Sequence, residues 1–217
     1  MSPGLKLRKA GITVSLPLSF ILVFIYVAQS VTIGYLLHNK FEKEKVLKEQ
    51  QLKIEELEEK LKILNIIEDF QVGFKDEEVA ELTQVIHKES KRYGYDPLLV
   101  LALIITESSF KKGQVSRMGA QGLMQVKPSV GYALAQRRNL GWNGNLSLFQ
   151  PAFNIKLGTL YLFELILKFK DVKKAIVAYN LGENALRLKI KNGQKVPTFY
   201  LSKVLKKYKH LKEKYAT

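Results

Sequence analysis

The sequence predicts a mostly α-helical protein, and its helix boundary signals are the main reason. Asp96-Pro97 provides an N-cap followed by a first-turn proline, and Gly94 is suited to close the helix before it. No alternating apolar and polar pattern of any length predicts a strand. The 217 residues, 47% of them hydrophobic, suffice for one core of ordinary size plus accessory segments.

The boundary signals place most helices in the second half of the chain. After a break near Val72-Gly73, a first helix is expected from about Glu77 to Gly94, and a second begins at Pro97. Further helices are expected at about 128–137, 152–169, 172–180, 184–191 and 198–215. Irregular loops are expected at 109–127 and 138–150.

Residues 10–37 form an uncharged apolar stretch after a basic N-terminal segment, 1–9. About 20 helical residues, rising about 1.5 Å each, cross a hydrocarbon core of about 30 Å, so the stretch predicts a membrane-spanning helix. A cleaved signal peptide is the alternative, because Ala28-Gln29-Ser30 has small residues at cleavage-like spacing. Lysines lie on both sides of the stretch, so the charge count leaves its orientation open.

Residues 40–72 continue as a charged helix with a heptad pattern. One heptad position is occupied by Leu47, Ile54 and Leu61, and the other by Gln50, Leu57 and Leu64. About three heptads with a polar Gln50 in the seam predict either a short, weakly self-associating coiled coil or a single amphipathic stalk helix. Either would hold the following segment some 35 Å from the bilayer, at about 1.5 Å per residue over the 24 residues 41–64.

Positive charge is concentrated in the C-terminal part. Residues 85–217 contain 24 Lys and Arg against 7 Asp and Glu, whereas residues 1–84 contain 11 against 13. Such an excess attracts nucleic acid, an anionic lipid surface or an acidic polymer such as a cell wall, although solubility alone also accounts for it. The absence of cysteine excludes disulfides and thiolate metal sites.

One acid lies at the end of a strongly apolar helix. The segment PLLVLALIITE, 97–107, is apolar almost all round, which indicates a buried helix with Glu107 at its C-terminal end. The helix dipole and partial desolvation both disfavour the carboxylate there, so we expect a raised pKa, as a general acid near neutral pH requires. A solvated glutamate at a fraying helix end is the alternative from position alone.

Four short motifs then follow in order: ESSF at 107–110, SRMGAQGLMQVKPS at 116–129, NIKLGTLYL at 154–162 and AYNLG at 178–182. Their order and spacing resemble the lytic transglycosylase family over roughly residues 85–205. The resemblance implies a goose-lysozyme-like α-helical catalytic domain at 77–217, with Glu107 as its single catalytic acid and no metal or other cofactor.

The resemblance also implies substrate-binding residues. Ser116 matches a serine that hydrogen-bonds the substrate N-acetyl group, and Gln125 lines the glycan groove in the GLMQ loop. Tyr179 and Asn180 would place and polarise the acid and the acetamido group. The NIKLGTLYL segment matches a mainly structural helix.

Several positions depart from the family pattern. Lys127, expected to contact substrate, stands where methionine is common, and Leu181 and Glu183 replace the usual alanine and proline. Glu183 is expected to point outward. Near the C-terminus, VPTFYLSKVL keeps Tyr200, which would form part of the groove floor, but lacks the family's nearby glutamate.

The implied activity is cleavage of the β-1,4 bond between N-acetylmuramic acid and N-acetylglucosamine in peptidoglycan, leaving 1,6-anhydro-muramyl ends. Two alternatives stay open: a membrane-anchored peptidoglycan-binding or assembly protein without turnover, and a lysozyme-like hydrolase on the same fold. A hydrolase would need a second carboxylate. The other acids of the basic segment are expected at helix-surface or cap positions: Glu89, Asp96, Glu164, Asp171, Glu183 and Glu213.

Peptidoglycan carboxylates would give the basic excess a partner, since several cations crowd the loops around the proposed cleft: Lys111, Lys112, Arg117, Lys127, Arg137 and Arg138. A membrane anchor and the absence of zinc-finger or RNA-binding signatures argue against nucleic acid. The implied substrate lies outside the cytoplasmic membrane. We therefore expect a single-pass inner-membrane protein with a cytoplasmic N-terminus and its catalytic domain in the periplasm or equivalent space.

Overall fold

The computed structural model of the chain describes residues 16–216, and contacts between residues divide the chain into two compact units after Glu55. The predicted N-terminal segment, 1–9, and the first six residues of the predicted membrane span lie outside the described residues. A single helix, α1 (Leu16–Phe70), runs through the first unit and into the second.

In the first unit, α1 is long and apolar enough to cross a membrane. Its most apolar 18-residue window has a mean hydropathy of 2.0 and is fully exposed. A signal sequence near the N-terminus would satisfy the same criterion, so length and composition alone do not separate the two interpretations.

The second unit consists of the last turns of α1 followed by seven α-helices. These are α2 (Asp76–Tyr93), α3 (Pro97–Ser108), α4 (Pro128–Arg137), α5 (Pro151–Phe169), α6 (Val172–Leu181), α7 (Glu183–Lys191) and α8 (Phe199–Lys214). Within residues 16–216 the only β-type pairings are three isolated bridges. The predicted mostly α fold class is therefore confirmed.

The helix boundaries follow the predicted capping residues. The Asp96 carboxylate accepts a hydrogen bond from the Leu98 amide at 2.9 Å, and Asp171 accepts one from the Lys173 amide at 2.7 Å. One region differs: the predicted loop 138–150 contains a short 3₁₀-helix, Gly144–Phe149. Its start is held by the Asn143 amide, which donates to Ser147 Oγ at 2.7 Å.

The core is built around α3, which packs mainly against α8 and also against α2. Every residue from Val100 to Ile105 is buried, as its uninterrupted apolar sequence predicts. Helix α5 packs against α2 and α6. The buried α3 therefore carries Glu107 on its last turn, at the edge of the core.

The last turns of α1 belong to this second unit. Ile63, Ile66 and Ile67 are buried in its core. Two ion pairs add to this packing: Glu59 with Lys91 at 2.9 Å and Asp69 with Lys214 at 2.6 Å. The compact unit consequently begins at Glu56, whereas the sequence analysis assigned residues 40–72 to a stalk.

Two acids are more enclosed than the sequence pattern predicted. Glu89, expected on a helix surface, is buried, and both of its oxygens accept hydrogen bonds from Arg92 at 3.2 Å. Glu164 is largely enclosed and pairs with Arg137 at 2.7 Å and Arg138 at 3.2 Å. Neighbouring arginines explain why these carboxylates tolerate burial.

Candidate active site

The chain turns sharply directly after Glu107. Ser109 and Phe110 both adopt left-handed backbone conformations, with φ of 52° and 58°. Such residues each cost about 1–3 kcal/mol, but burial of the Phe110 ring in the core offsets part of that cost. The ESSF motif thus ends α3 at a fixed point and anchors the loop that follows.

The GLMQ loop is held by Asn154 of α5. The Met124 amide donates to Asn154 Oδ1 at 2.8 Å, and Asn154 Nδ2 donates to the carbonyls of Gln121 at 2.8 Å and Leu148 at 3.0 Å. A Cβ on Gly122 would lie 2.2 Å from Asn154 Nδ2, and the Gly122 φ of 78° also favours glycine. The first motif residue of α5 therefore fixes the loop, in agreement with its expected structural role.

Two further motif residues hold the same loop at Met124. A Cβ on Gly158 would lie 2.5 Å from Met124 Sδ, so the Met124 side chain packs directly on the α5 backbone. From α6, the Tyr179 hydroxyl donates to the Met124 carbonyl at 2.8 Å. These contacts explain in physical terms why the motifs occur together.

Ser116 precedes the GLMQ loop and Gln125 is its last residue, and both side chains form hydrogen bonds to nearby backbone groups. Ser116 Oγ accepts a hydrogen bond from the Ala120 amide at 3.0 Å. Gln125 has a left-handed φ of 48°, and its Nε2 donates to the carbonyls of Gln114 at 3.1 Å and Gly122 at 2.8 Å. Both side chains are therefore fixed in position without a ligand.

A cavity of about 770 Å³ opens beside this loop. Six of the seven residues predicted for the site line it: Glu107, Ser116, Gln125, Lys127, Tyr179 and Asn180. Three residues that were not predicted for the site also line the cavity: Met118, Tyr161 and Asn184. Nothing in a single sequence marks these three as ligand-facing, because Tyr161 lies on a helix predicted to be structural and Met118 is an exposed loop residue.

The environment of Glu107 favours its protonated form. Burial raises the pKa of its carboxyl group to about 7, although a hydrogen bond from Tyr200 partly opposes that rise. Burial and the nearby Glu107 charge also raise the pKa of Tyr200, so its hydroxyl remains a donor. The raised pKa expected from the position of Glu107 on α3 is confirmed in direction.

Tyr200 and Tyr179 have different hydrogen-bond partners from those expected. Tyr200 was expected in the groove floor, but it does not line the cavity, and its hydroxyl donates to Glu107 Oε1. Tyr179 lines the cavity, but its hydroxyl donates to the Met124 carbonyl of the GLMQ loop rather than to Glu107. The packing of α8 against α3 accounts for the contact between Tyr200 and Glu107.

Glu183 was expected to point outward, but it lines the cavity. It forms ion pairs with Lys168 at 2.6 Å and Arg187 at 3.0 Å, and these cations hold it at the cavity edge. Partial burial raises the pKa of Glu183, but the hydrogen bonds from Lys168 and Arg187 outweigh burial and leave the pKa below its ordinary value. Within residues 16–216, no group of three or more His, Cys, Asp or Glu side chains is arranged to hold a metal ion.

Comparison with known proteins agrees with these features. Residues 84–211 match the family described as "Transglycosylase SLT domain". The chain belongs to this family. The match includes every helix from α3 to α7 and the whole cavity lining.

Similar proteins include two from bacteria with related names. The chain is 40% identical over 81 residues to "Endo-type membrane-bound lytic murein transglycosylase A" of Klebsiella pneumoniae, covering 36% of this chain and 39% of the relative. It is 36% identical over 125 residues to "Membrane-bound lytic murein transglycosylase C" of Haemophilus ducreyi, covering 53% of this chain and 34% of the relative. The chain thus spans less than half the length of each.

Two solved structures are also similar. One is an inactive mutant of lytic transglycosylase Slt from Pseudomonas aeruginosa, with a TM-score of 0.47 and 22% identity over 59% of this chain and 22% of that one. The other is the 70 kDa soluble lytic transglycosylase of Escherichia coli, with a TM-score of 0.49 and 19% identity over 68% of this chain and 24% of that one.

Proposed function

We propose that this protein is a peptidoglycan lytic transglycosylase that cleaves the β-1,4 bond between N-acetylmuramic acid and N-acetylglucosamine. The observation that carries the proposal is the half-buried Glu107 at the cavity, with its pKa raised to about 7. Such a carboxyl group exchanges a proton readily near neutral pH. Family membership and the names of the similar proteins support the same activity.

The proposed reaction uses one carboxyl group twice. Protonated Glu107 donates its proton to the glycosidic oxygen as the bond from C1 of the muramic acid to that oxygen breaks. The substrate's acetamido oxygen bonds to C1 and stabilises the cationic centre. The Glu107 carboxylate then takes the proton of the C6 hydroxyl, whose oxygen displaces the acetamido oxygen at C1 and closes the 1,6-anhydro ring without consuming water.

The state of Glu183 favours this non-hydrolytic reaction over hydrolysis. Glu107 and Glu183 are the two carboxylates that line the cavity in the described part of the chain. Glu183 is engaged by two cations, and its lowered pKa makes it a weak base for activating water. A hydrolase would need a free second carboxylate on the opposite face of the sugar.

We further propose that the polar cavity residues bind the glycan strand. Ser116, Gln125 and Asn180 provide hydrogen-bonding groups for acetamido and hydroxyl substituents. Lys127 is exposed at the cavity and forms no ion pair within residues 16–216. Its ammonium group is therefore suited to bind a lactyl or stem-peptide carboxylate, which an apolar residue at this position would not do.

The proposal includes a location. The apolar part of α1 would anchor the chain in the cytoplasmic membrane as a single span, with the N-terminus in the cytoplasm and the catalytic unit in the periplasm or equivalent space. Retention of the N-terminal segment in the mature protein would distinguish this anchor from a cleaved signal peptide.

Mass spectrometry of products released from purified sacculi tests the activity. We would compare a fragment of residues 56–217 with its Glu107→Gln variant, since the core includes Ile63, Ile66 and Ile67. Anhydro-muropeptides from the first and none from the second are the expected result. Reducing-end muropeptides would indicate a hydrolase, and sacculus binding without release from either protein would indicate a binding protein.

A further inference from the structure

An apolar stripe along α1 lacks a packing partner in the described chain. Leu47, Ile54, Leu57 and Leu61 expose 64%, 49%, 52% and 58% of their surface. Single exposed leucines are common, but these four follow one another at spacings of seven, three and four residues along one helix, as in a heptad pattern. Such a series forms the seam of a coiled coil when a second helix covers it.

The part of this stripe in the second unit lies away from the core of that unit. Ile63, Ile66 and Ile67 are buried, whereas Leu57 and Leu61 are exposed on the same stretch of helix. At 3.6 residues per turn, Leu57 lies about 180° around the helix axis from Ile66. Leu64, the next seam position, packs against the core, so the exposed stripe ends at Leu61. A second helix can therefore cover Leu57 and Leu61 without displacing the buried contacts of Ile63, Ile66 and Ile67.

We propose that two copies of this chain associate through residues 47–61 as a parallel, in-register, two-stranded coiled coil. In this register Lys53 of one copy faces Glu58 of the other, so symmetry produces two attractive pairs. The central layers, with Ile54 at the first seam position and Leu57 at the second, favour two strands, whereas Leu47 and Leu61 at the first position lack the β-branching behind that preference. Gln50 faces its counterpart, where an amide pair fixes the register at some cost in stability.

A membrane anchor would make this short seam sufficient. A seam of about two heptads associates weakly when free in solution, because helix ordering opposes association. Two chains anchored in one bilayer point the same way and have a raised effective concentration, so weak pairing becomes populated. The proposal is independent of the catalytic one, since it involves neither the cavity nor its residues.

Single-cysteine cross-linking tests the proposal in the full-length chain reconstituted into liposomes. The natural sequence contains no cysteine, so each introduced thiol reports only its own position. We would compare Gln50→Cys and Leu57→Cys, at the same seam position one heptad apart, with Glu55→Cys on the outer face as the matched control. A disulfide usually joins Cα atoms about 4.4–6.8 Å apart, a separation that an in-register parallel seam provides and the outer face does not.

Rapid disulfide formation at both 50 and 57, and several-fold slower formation at 55, is the expected result. In the Leu57→Cys background, Lys53→Glu should slow cross-linking. Combining Lys53→Glu with Glu58→Lys should restore the rate, regardless of how either change alone affects helix stability. Equal rates at 55 and 57 would reveal random collision and overturn the proposal. Cross-linking at only one of 50 and 57 would contradict a parallel, in-register seam.

Discussion

The end of α3 and the beginning of α7 each place one glutamate at the same cavity, but their surroundings differ. Glu107 is half-buried at the end of the core helix and accepts a hydrogen bond from the Tyr200 hydroxyl, and burial raises its pKa to about 7. Glu183 is bound by Lys168 and Arg187, which lower its pKa. Two identical side chains thus have different acid–base properties, and only the first is suited to donate a proton near neutral pH.

Glutamine substitution of Glu107 should lower turnover far more than glutamine substitution of Glu183. Glu107→Gln is expected to lower turnover of sacculi by about 10²–10⁴-fold, because the proposed proton donor is lost. Glu183→Gln should leave turnover within about tenfold of the unchanged protein, as expected of a residue outside the proton transfer. Equal losses, measured as the rate of muropeptide release, would show that both carboxylates take part in the reaction.

The raised pKa of Glu107 should also make stability depend on pH. Its carboxyl is protonated in both folded and unfolded chains below about pH 4.5, so Glu107→Gln should change stability little there. As pH rises from the unfolded value of 4.5 through the folded value of about 7, the folded chain loses about 3 kcal/mol that the variant keeps. Thermal unfolding at pH 4 and pH 8, with exposed Glu213→Gln as control, measures this difference. A constant difference between the two pH values would contradict the assigned pKa.

Tyr200→Phe should shift the pH dependence of activity without abolishing it. The Tyr200 hydroxyl stabilises the carboxylate form, so its loss should raise the pKa of Glu107 further. Activity that requires protonated Glu107 would then persist to higher pH, and the basic limb of the profile of kcat/KM would move upward. Tyr132→Phe, a change at an exposed tyrosine, serves as the control. A basic limb that moved to lower pH would show that the hydroxyl acts otherwise.

Loss of one cation beside Glu183 should have the smallest effect. Lys168→Ala removes one of two partners of a partly exposed carboxylate and should cost less than about 1 kcal/mol of stability. The pKa of Glu183 should rise toward its ordinary value, while the pH profile of turnover stays in place. Movement of that profile would show that Glu183 influences Glu107 across the cavity.

Local signals predicted most of the fold. Asp96, Pro97 and Asp171 mark helix starts by chemistry that acts within one turn, so their positions could be read directly from the sequence. The burial of the last turns of α1 in the core could not be predicted from such local signals. Its heptad leucines indicated a stalk, whereas Ile63, Ile66 and Ile67 on another face are buried by helices far along the chain.

In the candidate site, too, some features could be predicted from local sequence and others depend on tertiary packing. The position of Glu107 at the end of a strongly apolar helix predicted a raised pKa but left a solvated glutamate as the alternative, and burial in the folded domain is what raises the pKa. The roles of Tyr179 and Tyr200 depend on how α6 and α8 pack, and no local sequence pattern predicts that packing. For Glu183, the cation that draws it to the cavity edge comes from α5, fifteen residues earlier.

Direct titration of the Glu107 carboxyl group tests the central claim most closely. We would record the ¹³C NMR shift of glutamate side-chain carboxyls against pH in residues 56–217, and assign Glu107 from the signal missing in Glu107→Gln. A midpoint of about 7 is the predicted result, as burial of this carboxyl requires. A midpoint near the ordinary value of 4.5 would mean that Glu107 is solvated and ionised at neutral pH, and would contradict its proposed role as the acid.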